Sequence, residues 1–166
     1  LWTWIFNGQY GILNALIEAC GGEGQTWLGQ TETALLCVVI ARTWQMLPWY
    51  MAFLLGGLQG VSLDQVEAAR IDGANNWQVF AHIVVPAMRG IMTLVLILGA
   101  IGNLQHFDLP WTMVQGGPAR ATTTLSIEVY KTAFKNWNMG KAATVGTIWA
   151  LLLAIFSFVY LRQVNE

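Results

Sequence analysis

The chain has 166 residues, 55% of them hydrophobic and only 10% charged, with 8 Lys plus Arg against 9 Asp plus Glu. Soluble domains carry about 25% charged residues, so the composition points to lipid as solvent, and a formal net charge of −1 excludes the basic footprint of a nucleic-acid binder. No segment resembles a signal peptide, and a start at Leu1 leading directly into Trp2-Thr3-Trp4-Ile5-Phe6 is read as an N-terminally truncated chain.

A helix crossing about 30 Å of hydrocarbon needs about 20 mostly apolar residues, because irregular backbone finds no partners in lipid. Residues 1–31 are a polar-punctuated lead-in with Gly21-Gly22-Glu23-Gly24 and one short helix predicted from Gly11 to Cys20. Residues 33–58 are the first span; Arg42 and Pro48 inside it suit a helix facing protein or a wet cavity. Residues 59–87 form a polar island. Residues 88–107 are the second span, apolar at Leu94-Val95-Leu96-Ile97-Leu98 and polar from Asn103 to His106. Residues 109–141 carry the turn signal Gly116-Gly117-Pro118, then a helical pattern from Thr124 to Phe134 marked by Ile127, Tyr130 and Phe134. Residues 142–161 are the cleanest span, with Ala142 and Gly146 as a small-residue helix-packing pair. Cys20 and Cys37 have no metal-ligand spacing and are read as unpaired structural residues. The fold class is therefore all-α: a polytopic membrane protein with about three transmembrane helices.

The island between two spans has to sit in water at one membrane face. Ser62 and Gln65 have the spacing of a capping box, which predicts a helix starting near Leu63. Glu67 offers a carboxylate to a partner cation, while Ala68 and Ala69 remove bulk and let a partner approach the backbone. Asp72-Gly73 is predicted to break that helix. A second helical stretch follows, with Trp77, Phe80, Ile83 and Val84 on one face, and Pro86 is expected to end it. An ordinary membrane-surface helix is the plain alternative, but such helices are rich in Lys and Arg, and this one has Glu67, Asp72 and a single Arg70.

The spacing of Glu67, Ala68, Ala69, Gly73, Ile83 and Pro86 resembles the EAA loop of the membrane-spanning subunits of binding-protein-dependent ABC importers; Val85 stands where Leu is commoner. Gly11-Ile12-Leu13-Asn14 and Trp27-Leu28 are similar to the external segment of sugar-type permeases, and Trp44 and Pro48 stand where those proteins carry Trp and Pro. Gly116-Gly117-Pro118, Thr122-Thr123-Thr124-Leu125, Tyr130 and Ala133-Phe134 resemble a stretch of the maltose-permease-like branch. The resemblance implies a MetI-like helical bundle in a prokaryotic cell membrane, with residues 59–87 as a cytoplasmic loop. In it, Glu67, Ala68, Ala69, Asp72, Gly73, Ile83 and Pro86 couple to an ATPase subunit. It further implies a second permease subunit, an extracytoplasmic solute-binding protein, and external placement of residues 1–31 and 109–141. ATP hydrolysis then belongs to the partner, no cofactor is expected, and this chain has no Gly-rich phosphate-binding motif. The positive-residue count opposes that orientation, with Arg70, Arg89 and Arg162 on one side against Arg120, Lys131, Lys135 and Lys141 on the other. The resemblance takes precedence over the count.

Arg42, Gln45, Met46 and Trp49 recur at i, i+3, i+4 and i+7, one face of a helix, and Asn103 and His106 are one turn apart. The resemblance places these six residues along the solute pathway, where amide and imidazole groups would bond sugar hydroxyls and an indole would cover a ring face. Hydrogen bonding between helices is the structural alternative for Asn, Gln and His. Arg42 needs a partner such as Asp108, an anionic solute or a wet vestibule, and it sits less easily with a neutral solute. Trp27, Trp111 and Trp137 are expected at headgroup depth. The alternative functions are a proton-linked secondary transporter using His106 and Asp108, which gives no reason for the island's spacing, and an ABC importer permease for a non-sugar solute. A membrane enzyme would need a nucleophile beside a base or a metal cluster, and the sequence places neither together.

Overall fold

The structure, a computed structural model, describes residues 1–164, with side chains described as far as Phe158. The side chain of Arg162, counted above, lies outside that range. Regular structure among the described residues is helical: α1 Trp2–Ile5, α2 Ile12–Ala19, α3 Thr31–Gln59, α4 Leu63–Ile71, α5 Asn76–Val79, α6 Val85–Ala87, α7 Arg89–Leu104, α8 Asp108–Val114, α9 Leu125–Tyr130 and α10 Met139–Val164. Two π-helical turns, Phe80–Val84 and Lys131–Lys135, follow α5 and α9. By length and composition, one helix can cross a membrane by itself, with its span at Met139–Phe158. The number reaches three at most, if each of two bent pairs is one span: α3 with α4, at 69°, and Asn76–Ala87 with α7, at 68°.

Contacts divide the chain into two compact units. The first is Leu1–Gln45 with Gly102–Ile155, and the second is Met46–Ile101 with the described residues from Phe156. In the first, Phe6, Cys37, Val38, Ala41, Leu109 and Met113 form a buried cluster, with Trp2, Leu13, Trp27 and Leu28 packed against it. Cys37 fills this core as a free thiol, while Cys20 is exposed.

The lead-in is organised by Asn14, which is only 2% exposed. Its Nδ2 donates to the carbonyls of Gly8 and Gln25 at 2.8 and 2.9 Å, and its Oδ1 accepts from the Gln25 N–H at 3.3 Å and Trp27 Nε1 at 2.6 Å. The full capacity of a buried amide is thereby used. Trp27 is thus a core-packed partner of Asn14. Trp111 belongs to a ring cluster with Phe107 and Tyr130, and Lys135 Nζ stands 5.0 Å from its ring centroid. Trp137, 80% exposed, remains open to its surroundings.

The GGP stretch is a turn fastened by threonines. Thr122 and Thr123 donate to the carbonyls of Gly117 and Gly116 at 2.7 and 2.8 Å, and Thr124 caps α9 by accepting from the Ile127 N–H. Gly116 has φ +79°, and an added Cβ would meet Ile127 Cγ2 at 3.0 Å and Thr123 Oγ1 at 2.8 Å. Helix α8 precedes this turn and was not anticipated, since seven residues are too few to establish a period.

In the second unit the Tyr50 ring lies over Gly99, and Ile91 lies against Gly57, so glycines let α3 and α7 approach closely there. Gly146 has no neighbour at the position of an added Cβ. Ala142 is buried, but the small-residue pair does not form a packing face among the described residues.

Candidate functional site

The island folds largely as expected, with two corrections. Helix α4 begins at Leu63, yet Ser62 makes no capping hydrogen bond. The reciprocal box is formed thirteen residues on: Asn75 Oδ1 accepts from the Gln78 N–H at 2.9 Å, and Gln78 Oε1 accepts from the Asn75 N–H at 2.8 Å. Asn75 is a capping residue type of about the same strength as Ser62, and Gln78 occupies its third helical position. Pro86, for its part, does not end its helix. The chain stays helical through Ala87 because the preceding turn is π-helical, with the Val85 N–H bonding to the Phe80 carbonyl. A proline offers no N–H, and a widened turn immediately before it changes the pairing register so that the helix can continue. The break falls at Met88, where the 68° bend begins α7.

Helix α4 stops at Asp72, and Gly73 takes φ +87° with no neighbour at an added Cβ, so backbone conformation and not space requires glycine there. Ala68, Ala69 and Asp72 then face His82, Ile83 and Pro86 across a groove of about 610 Å³. It adjoins a hollow of about 310 Å³ that reaches Gly73. Five motif residues, scattered over 19 positions of sequence, are thereby assembled along one concavity. Glu67 is exposed on α4 and does not line it. Around this groove Leu63, Ile71 and Trp77 are 75%, 87% and 73% exposed.

The second candidate lies in the first unit. Arg42 Nε donates to Asn103 Oδ1 at 2.9 Å and its Nη1 donates to Gln45 Oε1 at 3.0 Å. Beside this network is a cavity of about 300 Å³ lined by Arg42, Thr43, Asn103, His106 and Thr124, with Val38 and Pro110 as apolar wall. His106 lies just past the end of α7, its carbonyl accepts from Ser126 Oγ at 3.1 Å, and its Nε2 is buried with no hydrogen-bond partner among the described residues. The structure therefore gathers Arg42, Gln45, Asn103 and His106. Met46 and Trp49 do not line this cavity; Trp49 packs against Tyr50 and Phe53, with ring centroids 5.2 and 4.5 Å away. Thr43 and Thr124 line it as well, although neither was expected along the pathway. Only the turn geometry, which brings the threonine run back toward residue 106, reveals Thr124.

Residues 1–165 match the family described as binding-protein-dependent transport system inner membrane component, and the chain belongs to that family. The trehalose/maltose transport system permease protein MalF of Thermococcus litoralis is 33% identical over 164 residues, covering 97% of this chain and 54% of that protein. The lactose transport system permease protein LacF of Rhizobium radiobacter is 34% identical over 161 residues, covering 94% and 54% respectively. The chain spans about half the length of the curated relatives it matches. A bacterial ABC transporter involved in the import of the acidic polysaccharide alginate has the same fold, with a TM-score of 0.84 at 14% identity over 99% of this chain and 58% of that one.

Proposed function

We propose that this chain is part of the multi-pass membrane subunit of an ABC-type carbohydrate importer in a prokaryotic cell membrane. It forms part of the solute pathway and receives the force of ATP hydrolysis from a separate ATPase subunit. A second permease subunit completes the pathway, and an extracytoplasmic binding protein delivers the saccharide. The observation that supports this reading most is the exposed groove on which Ala68, Ala69, Asp72, Ile83 and Pro86 converge. A groove walled by two alanines admits another protein's backbone closely, and the exposed Ile71 and Trp77 supply apolar anchors beside it. Glu67 is the charge offered to a partner cation. The names of the trehalose/maltose and lactose permeases favour a sugar as solute. Arg42, Gln45, Asn103 and His106 line the pathway, with Met46 and Trp49 further along α3.

The test uses the complete transporter. Glu67→Lys and Gly73→Asp each release the ATPase on affinity purification or leave ATP hydrolysis without solute uptake. Full retention of the ATPase with normal uptake in both variants removes the docking assignment.

A further inference from the structure

We propose that an apolar cavity against α10 holds an acyl chain of an anionic phospholipid, with Lys135 and Lys141 meeting the headgroup phosphate. This rests on the membrane placement in the reading above and not on the solute. The cavity, of about 270 Å³, is lined by Phe107, Ser126, Val129, Tyr130, Phe134 and Trp149. Phe107 and Phe134 flank Tyr130, with ring centroids 5.1 and 5.2 Å away. Ser126 Oγ already donates to the His106 carbonyl at 3.1 Å. A sugar would find few polar partners on such a wall, whereas a hydrocarbon chain needs none.

Position and charge together select the occupant. Trp149 stands ten residues from the start of α10, about 15 Å at 1.5 Å per residue, in the middle of the span Met139–Phe158. Ile148, Leu151 and Leu152 on the same helix are each more than half exposed, as lipid-facing residues are. Phe134 and Lys135 precede the span, in the π turn Lys131–Lys135. The lining therefore extends from the approach to the membrane to its hydrocarbon. Residues 129–158 contain Lys131, Lys135 and Lys141 and no Asp or Glu. Lys131 is turned elsewhere, its Nζ 3.0 Å from where a Cβ on Gly116 would stand. Lys135 Nζ lies 5.0 Å from the centroid of Trp111, which meets Tyr130 edge-on at 4.6 Å, so the ammonium is held beside the cavity wall. Lys141 is exposed in the first turn of α10. The adjacent acid, Glu128, is paired with Arg120 at 2.7 Å. Ammonium groups beside an apolar groove at the edge of a bilayer complement a phosphodiester whose tails enter that groove. The lysines that oppose the orientation of the chain thereby acquire a role other than setting topology.

The experiment places the complete transporter in phosphatidylcholine nanodiscs with a trace of a diazirine-bearing probe, either phosphatidylglycerol or phosphatidylcholine with identical acyl chains. After illumination, mass spectrometry reads the label on residues 126–134 and on Trp149 against that on residues 151–155. The phosphatidylglycerol probe is expected to label the cavity more heavily. Lys135→Gln lowers the ratio of the two probes about fivefold, the weight of one cation near an anionic headgroup, and Lys135→Arg retains it. Val129→Trp fills the cavity and lowers labelling there by both probes. If Val129→Trp fails to assemble, Lys135→Gln and Lys135→Arg decide by the ratio. Equal labelling by the two probes, or a ratio indifferent to Lys135→Gln, overturns the assignment. A cavity left unlabelled while residues 151–155 react means that the second permease subunit or another protein segment fills it; the proposal then falls and the membrane placement stands. Absence of label at both places overturns both.

Discussion

At the residue scale, Asn14 shows how one side chain can organise a segment that has little regular structure. Its amide meets two carbonyls and two N–H donors within a lead-in of 31 residues. Asn14→Ala leaves those buried groups without partners, which costs about 2–4 kcal/mol. Thermal unfolding of the detergent-solubilised transporter should therefore begin at lower temperature, and an unchanged profile would contradict the hub role. Two of the three positive-φ glycines among the described residues, Gly73 and Gly116, differ in kind. Gly73→Ala meets only backbone strain, about 1 kcal/mol. Gly116→Ala meets the same strain and a collision with Ile127 and Thr123, so it should destabilise clearly more in the same melting experiment.

At the scale of elements, the island's order depends on where its caps form. Asn75→Ala removes a reciprocal box and should cost about 1 kcal/mol, read as faster amide exchange over residues 75–79. Ser62→Ala should change exchange in α4 by very little, because the Ser62 side chain makes no capping bond. Equal effects of the two substitutions would refute the assignment. Helix α7 has 16 residues, about 24 Å at 1.5 Å per residue, short of the roughly 30 Å of hydrocarbon. Counted by length and composition together with the segment Asn76–Ala87 before it, from which it is bent by 68°, it reaches a crossing length. Both π turns follow short helices, at Phe80–Val84 and Lys131–Lys135, and the first lies immediately before a proline.

At the scale of the molecule, the exposed Ile148, Leu151, Leu152 and Ile155 of α10 require a non-aqueous surround. Leu152→Arg should make membrane insertion of Met139–Phe158 less favourable by about 3 kcal/mol, measured as the inserted fraction in a translocation assay. Orientation can be decided directly. In a Cys20→Ser background, with Cys37 shielded in the core, a cysteine at Ile71 should react with an impermeant reagent from the cytoplasmic side and one at Arg120 from outside. Reaction of both from the same side would overturn the topology, since an odd number of crossings must separate them.

The long apolar helix at Met139–Phe158, the short helix of the lead-in, the start of α4 and its stop at Gly73 were legible in the sequence. Apolar length and a backbone angle that favours glycine are local physics, while α4 starts where expected without the Ser62 capping bond that predicted it. The residues Ala68, Ala69, Asp72, Ile83 and Pro86 that meet along one groove could also be singled out from their spacing along the chain. The structure showed which cap forms at the island and how the helix passes Pro86, and tertiary structure alone decided that Trp27 serves Asn14 inside the fold. It alone brought Thr124 beside Arg42 and His106, residues separated by 82 and 18 positions. Hydrogen bonds of that kind depend on which distant segments meet, and no period or propensity within a window of sequence encodes such a meeting.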